Sequence, residues 1–65
     1  MVLSTLRRLR LERGLTQWDV GKVLGVDRSM ISFWEYGHRQ PTQEQLRKLA
    51  ELYGVEVGAL LADNN

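Results

Sequence analysis

Sixty-five residues are enough for one small domain, and a chain this short buries only about 60% of the surface its unfolded form exposes. Without cysteine it has no disulfides and no thiolate metal sites, and a single histidine, His38, leaves little for a zinc cage. No apolar run approaches the roughly 20 residues of a membrane span, and no apolar stretch follows the N-terminal arginines as a signal peptide would require.

A composition 43% hydrophobic and 26% charged is that of a chain that folds. With disulfides and metal removed, helix packing and self-association are left to stabilise it. Most apolar residues are needed for the core, which leaves little for an enzyme pocket. Paired catalytic carboxylates and a histidine-based constellation are also missing, so the expectation is no enzyme, no cofactor and no small-molecule substrate.

The net charge of +1 says little, but its distribution is uneven. Residues 1–13 carry Arg7, Arg8, Arg10 and Arg13 against Glu12, and residues 14–41 are balanced. Residues 42–65 set Arg47 and Lys48 against Glu44, Glu51, Glu56 and Asp63. The basic end can face a polyanion while the acidic end faces away; a solvated mixed surface gives the same pattern.

Along the chain, Leu3, Leu6, Leu9 and Arg10 mark one face of a first helix that Gly14 ends. Thr16 is an N-cap with Asp19 as its capping-box partner, and the second helix turns Val20, Val23 and Leu24 inward before stopping at Gly25. Val26 lies in the turn and Asp27 is the N-cap of a third helix. Ile31, Trp34 and Glu35 form its inward stripe, and Arg28, Ser29, Ser32, Phe33 and Tyr36 its outward one. Gly37 closes it, and the loop His38-Arg39-Gln40-Pro41 follows. Thr42 caps a fourth helix with Leu46, Leu49, Ala50 and Tyr53 at helical spacing. After Gly54, a short fifth helix with Val57, Leu60 and Leu61 completes the core, before the polar tail Asp63-Asn64-Asn65. The fold class is all-α, in a single domain over residues 1–65.

Helices at 16–24 and 27–36 joined by a tight glycine-containing turn form a helix-turn-helix signature. Gly21 sits in a helix interior, where glycine costs about 1 kcal/mol relative to alanine. A small residue fits there if the third helix crosses closely over it. Gly25 can adopt the left-handed turn conformation, and Ile31 can plug between the two helices.

From Leu6 to Leu61 the sequence resembles the phage repressor and Cro-type (XRE) helix-turn-helix domain. The resemblance is carried by Leu6, Arg10, Gly14-Leu15-Thr16-Gln17, Leu24-Gly25-Val26, Ile31-Ser32, Glu35, Gly37, Pro41, Leu46, Leu49-Ala50, Gly54-Val55 and Leu60. Val20-Gly21 replaces the common Leu-Ala pair, Trp18 a usually polar residue and Glu56 the usual small N-cap. The resemblance implies a lambda-repressor-like fold of five short helices, with the third in the DNA major groove. It also implies a partly buried Arg10–Glu35 ion pair and a phosphate contact at Gln17. The expected setting is bacterial or phage-encoded, cytoplasmic, and nucleoid-associated when bound.

Several residues then acquire candidate roles in DNA binding. Gln17 offers an amide at a helix N-terminus, which suits a phosphate oxygen. Arg28 opens the third helix and can donate two hydrogen bonds to guanine, whereas Ser29 discriminates weakly. Ser32 and Phe33 lie one turn on, where a phenylalanine edge can pack on a thymine methyl. Asp27 suits a cap best but could also accept from cytosine. In the following loop Arg39 is the best cation for the sugar-phosphate backbone. Trp34 reads as core and Trp18 as exposed. Arg7, Arg8 and Arg13 could attract DNA at long range or simply cover a solvated helix face.

The expected function is therefore sequence-specific binding of double-stranded DNA by a repressor-like transcription regulator. It would read a palindromic operator as a homodimer joined through the C-terminal helices near Val55, Val57 and Leu61. The alternative is a protein-interaction module on the same fold, antitoxin-like or coactivator-like, with Trp18 and Phe33 as its anchors.

Overall fold

Side-chain capping marks where three of the five helices begin. The computed structural model describes residues 4–61, which form α1 (Thr5–Glu12), α2 (Gln17–Leu24), α3 (Arg28–Tyr36), α4 (Gln43–Tyr53) and α5 (Val57–Leu60). Leu3 and the tail Asp63-Asn64-Asn65 lie outside the described residues. Ser4 caps α1, its hydroxyl accepting from the Arg7 amide at 3.1 Å.

The Thr16 hydroxyl accepts from the Asp19 amide at 3.0 Å, and the Asp19 carboxylate accepts from the Thr16 amide at 2.8 Å. That second bond holds the Asp19 carboxyl below its usual pKa, because the N–H donates to the charged form. Thr42 and Gln45 repeat the reciprocal arrangement at α4. Asp27 departs from expectation: it occupies the N-cap position, yet its side chain makes no capping hydrogen bond. Its carbonyl alone starts α3, accepting from Met30 and Ile31, while the side chain stays exposed.

The turn between α2 and α3 depends on two glycines. Gly25 takes the left-handed backbone, with φ of 73°. A Cβ on Gly21 would lie 2.7 Å from the Val26 carbonyl oxygen and 3.6 Å from the Arg28 amide nitrogen. The close neighbour is thus the turn and the first residue of α3, so the small residue fixes how tightly the two helices join.

Leu6, Leu9, Val20, Leu24, Ile31, Trp34, Leu46, Leu49, Ala50, Tyr53 and Leu60 form the core, drawing on every helix. Of the expected members, Val57 is only partly buried against this core and two are exposed. Val23 is 58% exposed, because the buried arc of α2 runs through Val20, Gly21 and Leu24 and leaves Val23 about 100° from its centre. Leu61 is 56% exposed, because it follows the last residue of α5 and turns away from the bundle.

Arg13 joins α1 to the end of α4: its Nε donates to the Tyr53 carbonyl at 2.7 Å and its Nη1 to the Leu9 carbonyl at 3.0 Å. It therefore does more than cover a solvated face. Tyr53 itself is fully buried, and among the described residues its hydroxyl has no hydrogen-bond partner. Burial, with a smaller contribution from the Glu35 charge, pushes its pKa up to about 12.

Two expectations follow from this packing. Gly21→Ala should lower stability by about 1–3 kcal/mol through overpacking, despite alanine's better helix propensity. Each kcal/mol should lower Tm by about 4–8 °C in a domain of this size. A melt unchanged or raised would show that the turn accommodates the methyl. Tyrosine ionises near pH 10 in the unfolded chain and near pH 12 here, so the neutral ring favours the folded state at lower pH. That contribution is lost as pH rises from about 10 to about 12. In urea titrations Tyr53→Phe should remove this part of the alkaline destabilisation, and an identical pH profile for the variant would contradict the assignment.

Candidate nucleic-acid interface

The outward stripe of α3 begins at Arg28 and ends at Tyr36, a span of about 12 Å along the helix axis. The major groove of B-DNA is about 12 Å wide and admits a helix of this size. Arg28, Ser29, Phe33 and Tyr36 are exposed, while Ser32 is half-buried. On the opposite side Ile31, Trp34 and Glu35 are buried, so packing fixes which stripe faces outward.

A continuous polar chain supports the N-terminal end of this stripe. Arg10 Nε donates to Glu35 Oε2 at 2.6 Å and Arg10 Nη2 donates to Glu35 Oε1 at 3.2 Å, with both side chains buried. The hydrogen bond that Arg10 donates to Glu35 raises the Arg10 pKa further above its ordinary value. Arg10 Nη1 also donates to the Leu15 carbonyl at 2.9 Å, fixing the approach to α2. Gln17 Nε2 donates to Glu35 Oε1 at 3.2 Å, and Gln17 Oε1 accepts from Arg28 Nη1 at 3.1 Å. The buried pair thus sets the orientation of Gln17, and Gln17 sets that of Arg28.

Trp18, 65% exposed, places its ring 5.9 Å from the Arg28 guanidinium carbon. Arg28 therefore rests between an amide and an aromatic face while its remaining N–H groups are open to an acceptor. The open groove beside this cluster is lined by Arg7, Leu11, Gln17, Trp18, Arg28 and Tyr36, among others. Its cationic rim suits an anionic partner.

Arg39 belongs to a second cluster at the other end of α3, where its guanidinium carbon lies 5.9 Å from the Phe33 ring centroid. Gln17 and Arg28 are thus brought into direct contact, as are Phe33 and Arg39, and Ser29 and Ser32 lie between the two clusters on α3. Sequence reading missed the support given to Arg28 by Gln17 and Trp18, and the bond from Gln17 to Glu35. Helical periodicity marks faces within one helix and carries no signal for these contacts between helices. The departure at Trp18 was the one visible hint. Among the described residues, no three His, Cys, Asp or Glu side chains are grouped as a metal site needs, and no helix is long and apolar enough to cross a membrane.

Removal of one partner from the buried pair should be severe. Arg10→Ala should cost about 3–5 kcal/mol, because it leaves the Glu35 carboxylate buried and unpaired. The double change Arg10→Met with Glu35→Leu should recover much of that stability in a denaturant titration while freeing Gln17 from its anchor. A loss below about 1 kcal/mol for Arg10→Ala would put the pair among the weak surface bridges.

Comparison with known proteins agrees with this geometry. Residues 6–60 match the helix-turn-helix family model HTH_3. The chain is 38% identical over 64 residues to the cryptic phage CTXphi transcriptional repressor RstR of Vibrio cholerae, covering 98% of this chain and 58% of that protein. It is 42% identical over 55 residues to the uncharacterized HTH-type transcriptional regulator y4dJ of Sinorhizobium fredii, covering 85% of this chain and 71% of that protein. Against the HTH-type transcriptional activator BcrR of Enterococcus faecalis it is 35% identical over 57 residues, covering 88% and 28%. No solved structure gives a significant match. With this match spanning all five helices, the chain belongs to the helix-turn-helix family of DNA-binding transcription regulators.

Proposed function

We propose that this chain is the operator-reading part of a cytoplasmic transcription regulator and that α3 enters the major groove with Arg28 as its principal base-reading residue. The observation that carries this reading is the linked set Arg10, Glu35, Gln17 and Arg28, which fixes one exposed guanidinium at the first turn of α3. A guanidinium held in this way spends less conformational entropy on meeting a guanine edge. Ser29 and Ser32 add weakly discriminating contacts, and Gln17 with the α2 N-terminus meets a phosphate. Arg39 meets the backbone from the far end of α3.

One domain offers few base contacts, so useful specificity calls for two half-sites about 34–36 Å apart, read by a symmetric dimer. The dimer surface we propose is the α4–α5 region, where Leu61 is exposed and Val55 and Val57 are only partly buried. Repression is favoured by similarity to the Vibrio cholerae protein, although the chain covers 58% of that protein and an activator stands among its relatives.

Selection of duplexes from a randomised pool at near-physiological salt should enrich a palindrome with half-sites one helical turn apart. Arg28→Ala should lose roughly 1–3 kcal/mol of discrimination at one base pair of each half-site. Gln17→Ala should weaken binding to every duplex, with some loss of that discrimination because Gln17 also holds Arg28. Equal losses for Arg28→Ala on all sequences would remove the base-reading assignment. Sedimentation showing monomer both free and on DNA would remove the dimer. Enrichment of no sequence by folded protein, with binding insensitive to salt, would favour a protein partner at Trp18 and Phe33.

A further inference from the structure

The loop after α3 folds back onto Phe33. Gly37 takes the left-handed backbone with φ of 79°, and the Phe33 carbonyl accepts from the amides of His38 at 2.8 Å and Arg39 at 3.4 Å. This turn places the Arg39 guanidinium carbon 5.9 Å from the Phe33 ring centroid and the His38 ring 6.3 Å away, edge-on at 76°. The Tyr36 ring also lies near His38, the two centroids 6.4 Å apart. Among the described residues Arg39 has no carboxylate partner, so its charge is uncommitted within the fold.

A thymine methyl packs best on an open aromatic surface, and Phe33, 39% exposed, already has an arginine near its ring and an imidazole at its edge. A guanidinium resting against a ring keeps N–H groups directed away from it, in the fork that fits two phosphate oxygens. From this geometry we infer that Phe33 is a positioning residue: it holds Arg39 as a sequence-independent phosphate clamp at the C-terminal end of α3, instead of reading a base. The clamp opposes the Gln17 contact at the other end of the helix, so the two would fix the depth and tilt of α3 in the groove. The inference rests on the DNA-interface reading above and assigns Phe33 a role distinct from that of Arg28.

The test measures affinity of Phe33→Ala, Phe33→Tyr, Arg39→Gln and the double variant Phe33→Ala/Arg39→Gln by fluorescence anisotropy over a range of salt. The probes are the duplex enriched from the random pool, its single-base-pair variants and a scrambled duplex of equal length. Phe33→Ala should weaken binding to every probe by roughly two- to fivefold, the size of an exposed cation–π contact. Its salt slope should fall toward that of Arg39→Gln, which loses about 0.9 for one phosphate contact. The double variant should bind no more weakly than Arg39→Gln alone, and Phe33→Tyr should restore wild-type affinity and slope. Circular dichroism melts confirm that each variant is folded.

A loss for Phe33→Ala that disappears on probes changed at one particular base pair would overturn the inference in favour of base reading. Multiplying losses in the double variant, or an unchanged salt slope, would overturn it as well. Gln17→Ala and Arg28→Ala serve as controls. If both bind every probe as wild type does, the interface reading fails and this inference with it. If they lose affinity while Phe33→Ala does not, the clamp alone fails.

Discussion

The Arg10–Glu35 pair is the contact on which the geometry of the outward surface of α3 depends. It joins α1 to α3 in the interior of a domain too small to bury much apolar surface, and both charges are almost wholly removed from water. Such a pair contributes little net stability compared with a well-packed apolar substitute, because desolvation offsets the attraction. It does provide direction. Glu35 Oε1 accepts from Gln17 as well as from Arg10, so a buried charge orients a side chain at the surface.

The two solvent-facing arginines of α3 and its following loop are supported in parallel ways. Arg28 rests by Trp18 and Arg39 by Phe33, each at 5.9 Å. Exposed aromatic rings on a small domain would otherwise suggest a sticky patch or a protein-binding site. Here each ring has a cation beside it, which fits a surface built to meet an anionic partner. The difference lies in what else holds the cation. Arg28 has a hydrogen bond to Gln17 and through it to the core, whereas Arg39 has the ring and the backbone turn that delivers it.

Family membership and local geometry bear on different parts of the function. The family match covers all five helices, and the chain spans somewhat over half the length of the Vibrio cholerae repressor. The family match establishes a helix-turn-helix domain whose relatives are named as transcription regulators. The residues proposed to read an operator lie on this chain's own outward stripe of α3, and Trp18 on α2, beside Arg28, departs from the common pattern.

Most of the architecture was legible in the sequence because it rests on local rules. The starts of α2 and α4 followed threonine, the first four helices stopped at or beside glycine, and buried faces followed helical spacing, so the helices and most of the core could be read directly. The helix-turn-helix spacing pointed to the family, and the resemblance in turn implied the pairing of Arg10 with Glu35. Three details escaped: Val23 faces out because the tight approach at Gly21 rotates the buried arc, Leu61 lies past the last turn of α5, and Asp27 starts a helix without its side chain. Each depends on where a neighbouring segment packs. The same holds for the interface. Sequence could nominate Gln17, Arg28, Phe33 and Arg39, since residue type and helix face are local properties. Only the tertiary structure joined Gln17 to both Glu35 and Arg28 and laid Arg39 beside Phe33, because those contacts arise where separate segments meet.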